Sequence, residues 1–147
     1  MSLKIILLAS TLMVTWLVAT GCSAATPTAT PAPAPNIVEF GTLSNSDGNV
    51  TVDAQLLDFQ IGQPLVFEVA MNTHSVDLID DMIKVSILRD DAGKAYRPTA
   101  WEGAEPGGHH REGKLKFAAM TTKPKYVELV IRDVAKVPER AFRWELK

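Results

Sequence analysis

The chain holds a single cysteine, Cys22, in 147 residues, and that excludes a good deal. One thiol cannot close a disulfide within the chain, and it cannot supply the paired thiolates of a structural zinc site. Fifteen Lys and Arg are outnumbered by 17 Asp and Glu and form no long basic run, so the electrostatic footprint of a nucleic-acid binder is missing. The longest uncharged apolar run covers residues 5–19, 15 residues in all. A bilayer-crossing helix needs about 20. Catalytic signatures are also missing: no Gly-x-Ser-x-Gly elbow, no phosphate-cradling glycine loop after a strand, and no His-Glu-x-x-His. Beyond that first run no helical periodicity appears, and there is no internal repeat.

What is present begins at the N-terminus. Lys4 supplies one positive charge, residues 5–19 a short apolar core, and Thr20-Gly21 a small-residue exit before Cys22. This is the pattern of a secretory signal, the alternative being an uncleaved anchor ending at Thr20. Leu17-Val18-Ala19-Thr20-Gly21-Cys22 resembles the lipobox of bacterial lipoproteins, with Ala19 where that family commonly carries Leu. The resemblance implies removal of residues 1–21 and attachment of more than one acyl chain, palmitate among them, to Cys22 as the new N-terminus. Several chains hold a protein firmly where one does not. It further implies an extracytoplasmic protein, anchored through membrane lipid to the cell membrane or, with Ser23 after the cysteine, the outer membrane. Lys4 leaves with the signal, so the mature chain carries 14 basic and 17 acidic side chains, a formal charge of −3.

Residues 23–35 read SAATPTATPAPAP. With proline at short intervals and nothing to bury, this segment is expected to stay an extended, disordered tether. Residues 36–147 then have the composition of one folded domain, about the common size. A short apolar segment (36–43) is closed by the turn signal Ser44-Asn45-Ser46-Asp47-Gly48. Residues 49–59 alternate as a strand, and Leu65, Phe67, Val69 and Met71 give the clearest period-2 signal. Residues 82–89 are expected to form a strand with Ile83, Val85 and Ile87 on one face. Asp90-Asp91-Ala92-Gly93 reads as a hairpin turn, with residues 94–99 returning. Further strands are expected at 115–119, 126–133 and 141–146. The expected fold is all-β: an antiparallel immunoglobulin-like β-sandwich of seven or eight strands, preceded by a signal helix and a disordered linker. Its expected core is Phe67, Val69, Val85, Ile87, Leu129, Ile131, Phe142 and Trp144. The domain is also similar to uncharacterised bacterial lipoproteins that carry Asn-Thr-His-Ser-Val-Asp and Gly-Gly-His-His segments, a resemblance that implies no activity.

Those two segments hold all three histidines: His74 in residues 71–81, and His109 and His110 in residues 101–110. Loops on a rigid scaffold are where binding residues gather. If the two meet, His74, His109 and His110 could converge with Asp77. Imidazoles suit copper or zinc, with Met71, Met82 or Met120 adding affinity for Cu(I) and Asp77 suiting zinc. Against this stand the absence of His-x-His and His-x-x-x-His spacings and a simpler reading. In that reading His74 bonds a loop carbonyl, Gly107-Gly108 turns with positive φ, His109 and His110 pack on Trp101, and the methionines fill core gaps. Trp101, read as lying on a loop, is either an exposed binding anchor or a lid. Ser75 beside His74 points to the opposite face of an extended chain, and Glu102 and Glu105 read as solvated, so no catalytic residue is assigned. The leading expectation is a non-enzymatic envelope binding module with Trp101 and Asp77 at its ligand site and an envelope protein or glycan as partner. The alternative is a copper or zinc lipoprotein.

Overall fold

The structure, a computed structural model, describes residues 40–147. The expected signal helix, the lipidated cysteine and the tether lie outside the described residues. No described helix is long and apolar enough to cross a membrane.

Nine strands are formed among the described residues, all paired antiparallel. In chain order they are β1 (Leu43–Asn45), β2 (Val50–Asp58), β3 (Leu65–Thr73), β4 (Ser86–Asp90), β5 (Ala95–Tyr96), β6 (Pro98–Gly103), β7 (His110–Phe117), β8 (Tyr126–Ile131) and β9 (Arg140–Glu145). One sheet runs β1-β2-β3-β7-β6 and the other β5-β4-β8-β9. Alternation drives the layering. Val50, Val52, Ala54 and Leu56 of β2 and Leu65, Phe67, Val69 and Met71 of β3 are buried, with intervening residues less so. Phe142, Trp144 and Leu146 close the opposite layer. Phe67 joins the two sheets, meeting Phe117 edge-on at 5.6 Å and Trp144 at 5.4 Å. Each such ring buries enough apolar surface to contribute about 2–3 kcal/mol.

Three expectations are corrected. Residues 82–89 are not one strand: Met82–Val85 form a helical turn, α1, started by Asp81, whose Oδ1 accepts the Ile83 amide at 3.0 Å. The strand phase after it is the reverse of that expected. Met82, Ser86 and Leu88 are buried, whereas Ile83 is exposed and Val85 and Ile87 are only half-buried. The helical turn shifts the alternation, and Ser86 takes the inward position that sequence pattern assigns to its apolar neighbours. Second, the expected return strand over residues 94–99 is shared between the sheets. β5 pairs with β4 after the Asp90–Gly93 turn, and the chain then crosses to start β6 against β7. Third, nine strands replace seven or eight, because β1 and this divided strand count separately.

The barrel-less, two-layer arrangement has two ends. β2 spans nine residues, roughly 30 Å at the usual strand rise. The described chain starts and finishes at the end where β2 stops: Trp144 Nε1 donates to Gly41 O at 2.9 Å, and the Leu146 amide to Lys125 O at 2.8 Å. The other end gathers the β1–β2, β3–β4, β6–β7 and β8–β9 connections.

Candidate functional site

At that far end the two histidine-bearing segments meet. The Thr73 amide donates to His109 O at 2.9 Å, the Leu78 amide to Gly108 O at 3.0 Å, and the Gly107 amide to Leu78 O at 2.9 Å. Gly107 and Gly108 have φ of +124° and +75°, the left-handed turn expected of them. Asp77 is spent on this junction, its Oδ1 accepting the Gly108 amide at 2.7 Å.

The result is a surface cleft of about 550 Å³ whose walls include His74, His109 and His110. Its floor follows from register. Thr51, Asn72 and His110 stand opposite one another on β2, β3 and β7, all on the outer face of their sheet. Ser46, Asn49, Thr73 and Ser75 complete the lining, so every lining side chain is a hydroxyl, a carboxamide or an imidazole. Two positions along, the same face carries Asp53, Ala70 and Glu112 in register. His109 Nδ1 lies 3.0 Å from Val76 O. A carbonyl oxygen only accepts, so Nδ1 carries the proton and Nε2 is the ring nitrogen left for a ligand. It is His109, not His74, that bonds a loop carbonyl.

Two buried arginines hold this end together. Arg111 and Arg140 each take the inward position at the far end of a strand, continuing the rows Leu115–Phe117 and Phe142–Trp144. They are 2 % and 1 % exposed. Arg111 donates from Nε to Ala104 O at 3.0 Å and from Nη1 to Leu78 O at 3.4 Å and Asp80 O. Arg140 donates to Asn45 Oδ1 at 3.0 Å, Val134 O at 2.8 Å and Asp47 O at 2.8 Å. Burial lowers both guanidinium pKa values, opposed by Asp80, Glu105 and Asp81 around Arg111 and by Asp47 and Asp80 around Arg140. Guanidinium is suited to this work because its fixed fork reaches several acceptors at once. The loops so held store strain: Asn49, Asp133, Ala135 and Lys136 all have positive φ. Gly48, at φ +63°, packs so closely on the β8–β9 connection that a Cβ there would lie 2.7 Å from Val137 Cγ2.

The remaining sequence expectations are placed as follows. Trp101 is on β6 rather than a loop and is half-buried; its Nε1 donates to Ala104 O at 3.0 Å, and Arg111 lies over its ring at 5.4 Å. Its ring fits against Gly103 and Gly113, where a Cβ would approach to within 2.9 and 2.7 Å. Met71, Met82 and Met120 are buried in the core, and none lines the cleft. Asp77 and Trp101 do not line it either. Among the described residues no three His, Cys, Asp or Glu side chains are already grouped to hold a metal ion. Glu102 forms an exposed ion pair with Lys116 at 2.6 Å. Sequence reasoning missed Asn72, Thr51, Arg111 and Arg140. Strand phase was the available signal: counting back by twos from Phe117 and Trp144 reaches both arginines.

No family model, no curated protein and no solved structure matches the chain.

Proposed function

We propose that this chain is a membrane-anchored extracytoplasmic lipoprotein whose β domain is a non-enzymatic binding module, with its ligand site in the far-end cleft. The observation that carries the reading is polarity. The described chain starts and finishes at one end of the domain, and the cleft lined by all three histidines opens at the other, roughly 30 Å away along β2. A cleft lined by hydroxyls, carboxamides and imidazoles suits the polar surface of an envelope protein or glycan.

The finer fold reading, an immunoglobulin-like sandwich, is supported by strand order. With β2, β3, β6 and β7 taken as A, B, D and E, their sheet runs A-B-E-D. With β4, β5, β8 and β9 as C, C′, F and G, the other runs C′-C-F-G. The loops at one end of that architecture are a common place for recognition.

The test is Cys22→Ser expressed in a bacterial host. The variant is expected to leave the membrane fraction with the domain's unfolding transition unchanged. Full retention of Cys22→Ser in the membrane would contradict lipid anchoring. Turnover of a substrate by the purified protein, lost on replacing His74 or Asp77, would contradict the non-enzymatic reading. A second reading, a metal site on the three histidines, is favoured by their shared cleft.

A further inference from the structure

We infer that the far-end cleft takes one divalent transition-metal cation on its imidazoles. His109 Nε2 is the fixed ligand, and His74 and His110 turn onto the ion. The inference rests on the cleft being the binding site of the module, as proposed above.

Four observations carry it. First, the chain has three histidines and all three line this one cleft. Second, the His109 ring is oriented from behind by Val76 O at 3.0 Å. A metal-ligating histidine usually donates its other ring N–H to a carbonyl or carboxylate in this way, which fixes the tautomer and raises ligand basicity. Third, the other two flank the same cleft. Asn72 is opposite His110, and His74 lies in the bend just past Thr73, the last residue of β3, so both histidines line the same cleft. His74 and His110 are exposed and no hydrogen bond from the described residues holds either ring, so rotation costs little, and exposed side chains change rotamer on a ps–ns timescale. This rotation is what assembles the ligand set, since the resting arrangement groups no three ligands. Fourth, the neighbouring row on the same face carries the carboxylates of Asp53 and Glu112 on either side of the small Ala70. Negative charge beside a neutral floor favours a cation over an anion.

The donor chemistry narrows the ion. Neutral nitrogen ligands without thiolate or thioether suit Zn(II), Cu(II) or Ni(II) rather than Cu(I), because Met71, Met82 and Met120 are buried in the core, or Ca(II), which wants oxygen. Three imidazoles leave at least one coordination position to water or to an anionic group of a partner. The cleft would then be an open site, where a bound ion recruits a carboxylate- or phosphate-bearing ligand.

The experiment uses the full chain carrying Cys22→Ser, purified in detergent, so that the thiol cannot bind the probe. Zn(II) and Ni(II) are titrated calorimetrically, and imidazole carbon–proton resonances are followed by NMR. One ion per chain is expected, with all three histidine signals shifted by Zn(II) or broadened by Ni(II). His109→Ala is expected to weaken binding by about tenfold or more, and His74→Ala and His110→Ala likewise. Glu112→Gln is expected to weaken it less. All three histidines are exposed, so these variants keep the wild-type amide spectrum elsewhere. Absence of binding, or affinity unchanged in His109→Ala and His110→Ala, overturns the inference. Either result leaves the membrane fractionation of the wild-type chain as it was, so a failed metal site and a failed anchor are separable.

Discussion

Asp77 Oδ1 accepts the amide hydrogen of Gly108 at 2.7 Å, a side-chain bond that adds to the backbone pairs joining the segment that carries His74 to the segment that carries His109 and His110. A carboxylate on a backbone N–H is among the stronger hydrogen bonds a surface loop can make. Asp77→Ala is therefore expected to cost about 1–2 kcal/mol in urea unfolding. Asp77→Asn keeps an acceptor and is expected to recover most of that loss. If both variants unfold like wild type, the bond contributes nothing and the segments are joined by their backbone pairs and the His109–Val76 bond.

Arg111 and Arg140 are the larger test of the far end. Each satisfies three acceptors while almost fully buried. Arg140→Met leaves Val134 O, Asp47 O and Asn45 Oδ1 without their donor, for an expected loss of about 3 kcal/mol. Arg140→Lys is expected to rescue less than half, since one ammonium cannot reproduce the fork. Arg111→Met is expected to cost a similar amount and to free Trp101, seen as a red shift of tryptophan fluorescence. A loss below about 0.5 kcal/mol at both positions would show that the strained connections hold without them.

Ser86 makes the opposite prediction. It is fully buried on the inward face of β4, and its Oγ has no hydrogen-bond partner among the described residues. An unpaired buried hydroxyl is a standing cost, so Ser86→Ala is expected to raise stability by about 1 kcal/mol. Destabilisation of the same size would mean the hydroxyl is satisfied in solution.

Acid acts on the β4–β8–β9 face. Arg89 pairs with Glu139 through both nitrogens, at 3.0 and 2.9 Å, and Arg132 approaches Glu139 at 3.4 Å. The Arg89 hydrogen bond holds the Glu139 carboxyl below its ordinary value of 4.5. A lowered carboxyl contributes stability that is present above the unfolded value and lost as pH falls through the folded one. Glu139 is 39 % exposed, so solvent screening limits the gain to about 0.5 kcal/mol. The stability difference between wild type and Arg89→Gln is expected at pH 7, to shrink below about pH 4.5, and to shrink in 1 M salt. A difference that persists at pH 2 would assign it to packing.

Much of this architecture was readable from period-2 alternation. Phe67, Val69, Leu129, Ile131, Phe142 and Trp144 are core residues as expected, because strands with one buried face write that face into every second residue. The misreadings share one cause, local geometry that resets the phase. Asp81 caps a helical turn that alternation through Ile83 and Val85 conceals. Trp101 reads as loop because Gly103, Pro106 and Gly107 follow closely, yet Gly103 and Gly113 leave the space its ring packs into. The meeting of the His74 segment with the His109-His110 segment leaves no local signal in the sequence, since contact between residues over 30 positions apart depends on the β3–β7 pairing. Asn72 and Thr51 have no motif. They are cleft residues only because they stand in register with His110.

The central claim is that Cys22 is the lipid-bearing N-terminus of a tethered β domain. The intact mass of the protein, extracted from membranes of the cell that makes it, tests this most directly. The expected mass is that of a chain starting at Cys22 and increased by more than one acyl chain, with the increment on the N-terminal peptide. A chain that starts at Met1 with Cys22 unmodified, or one cleaved elsewhere and free of lipid, would contradict it.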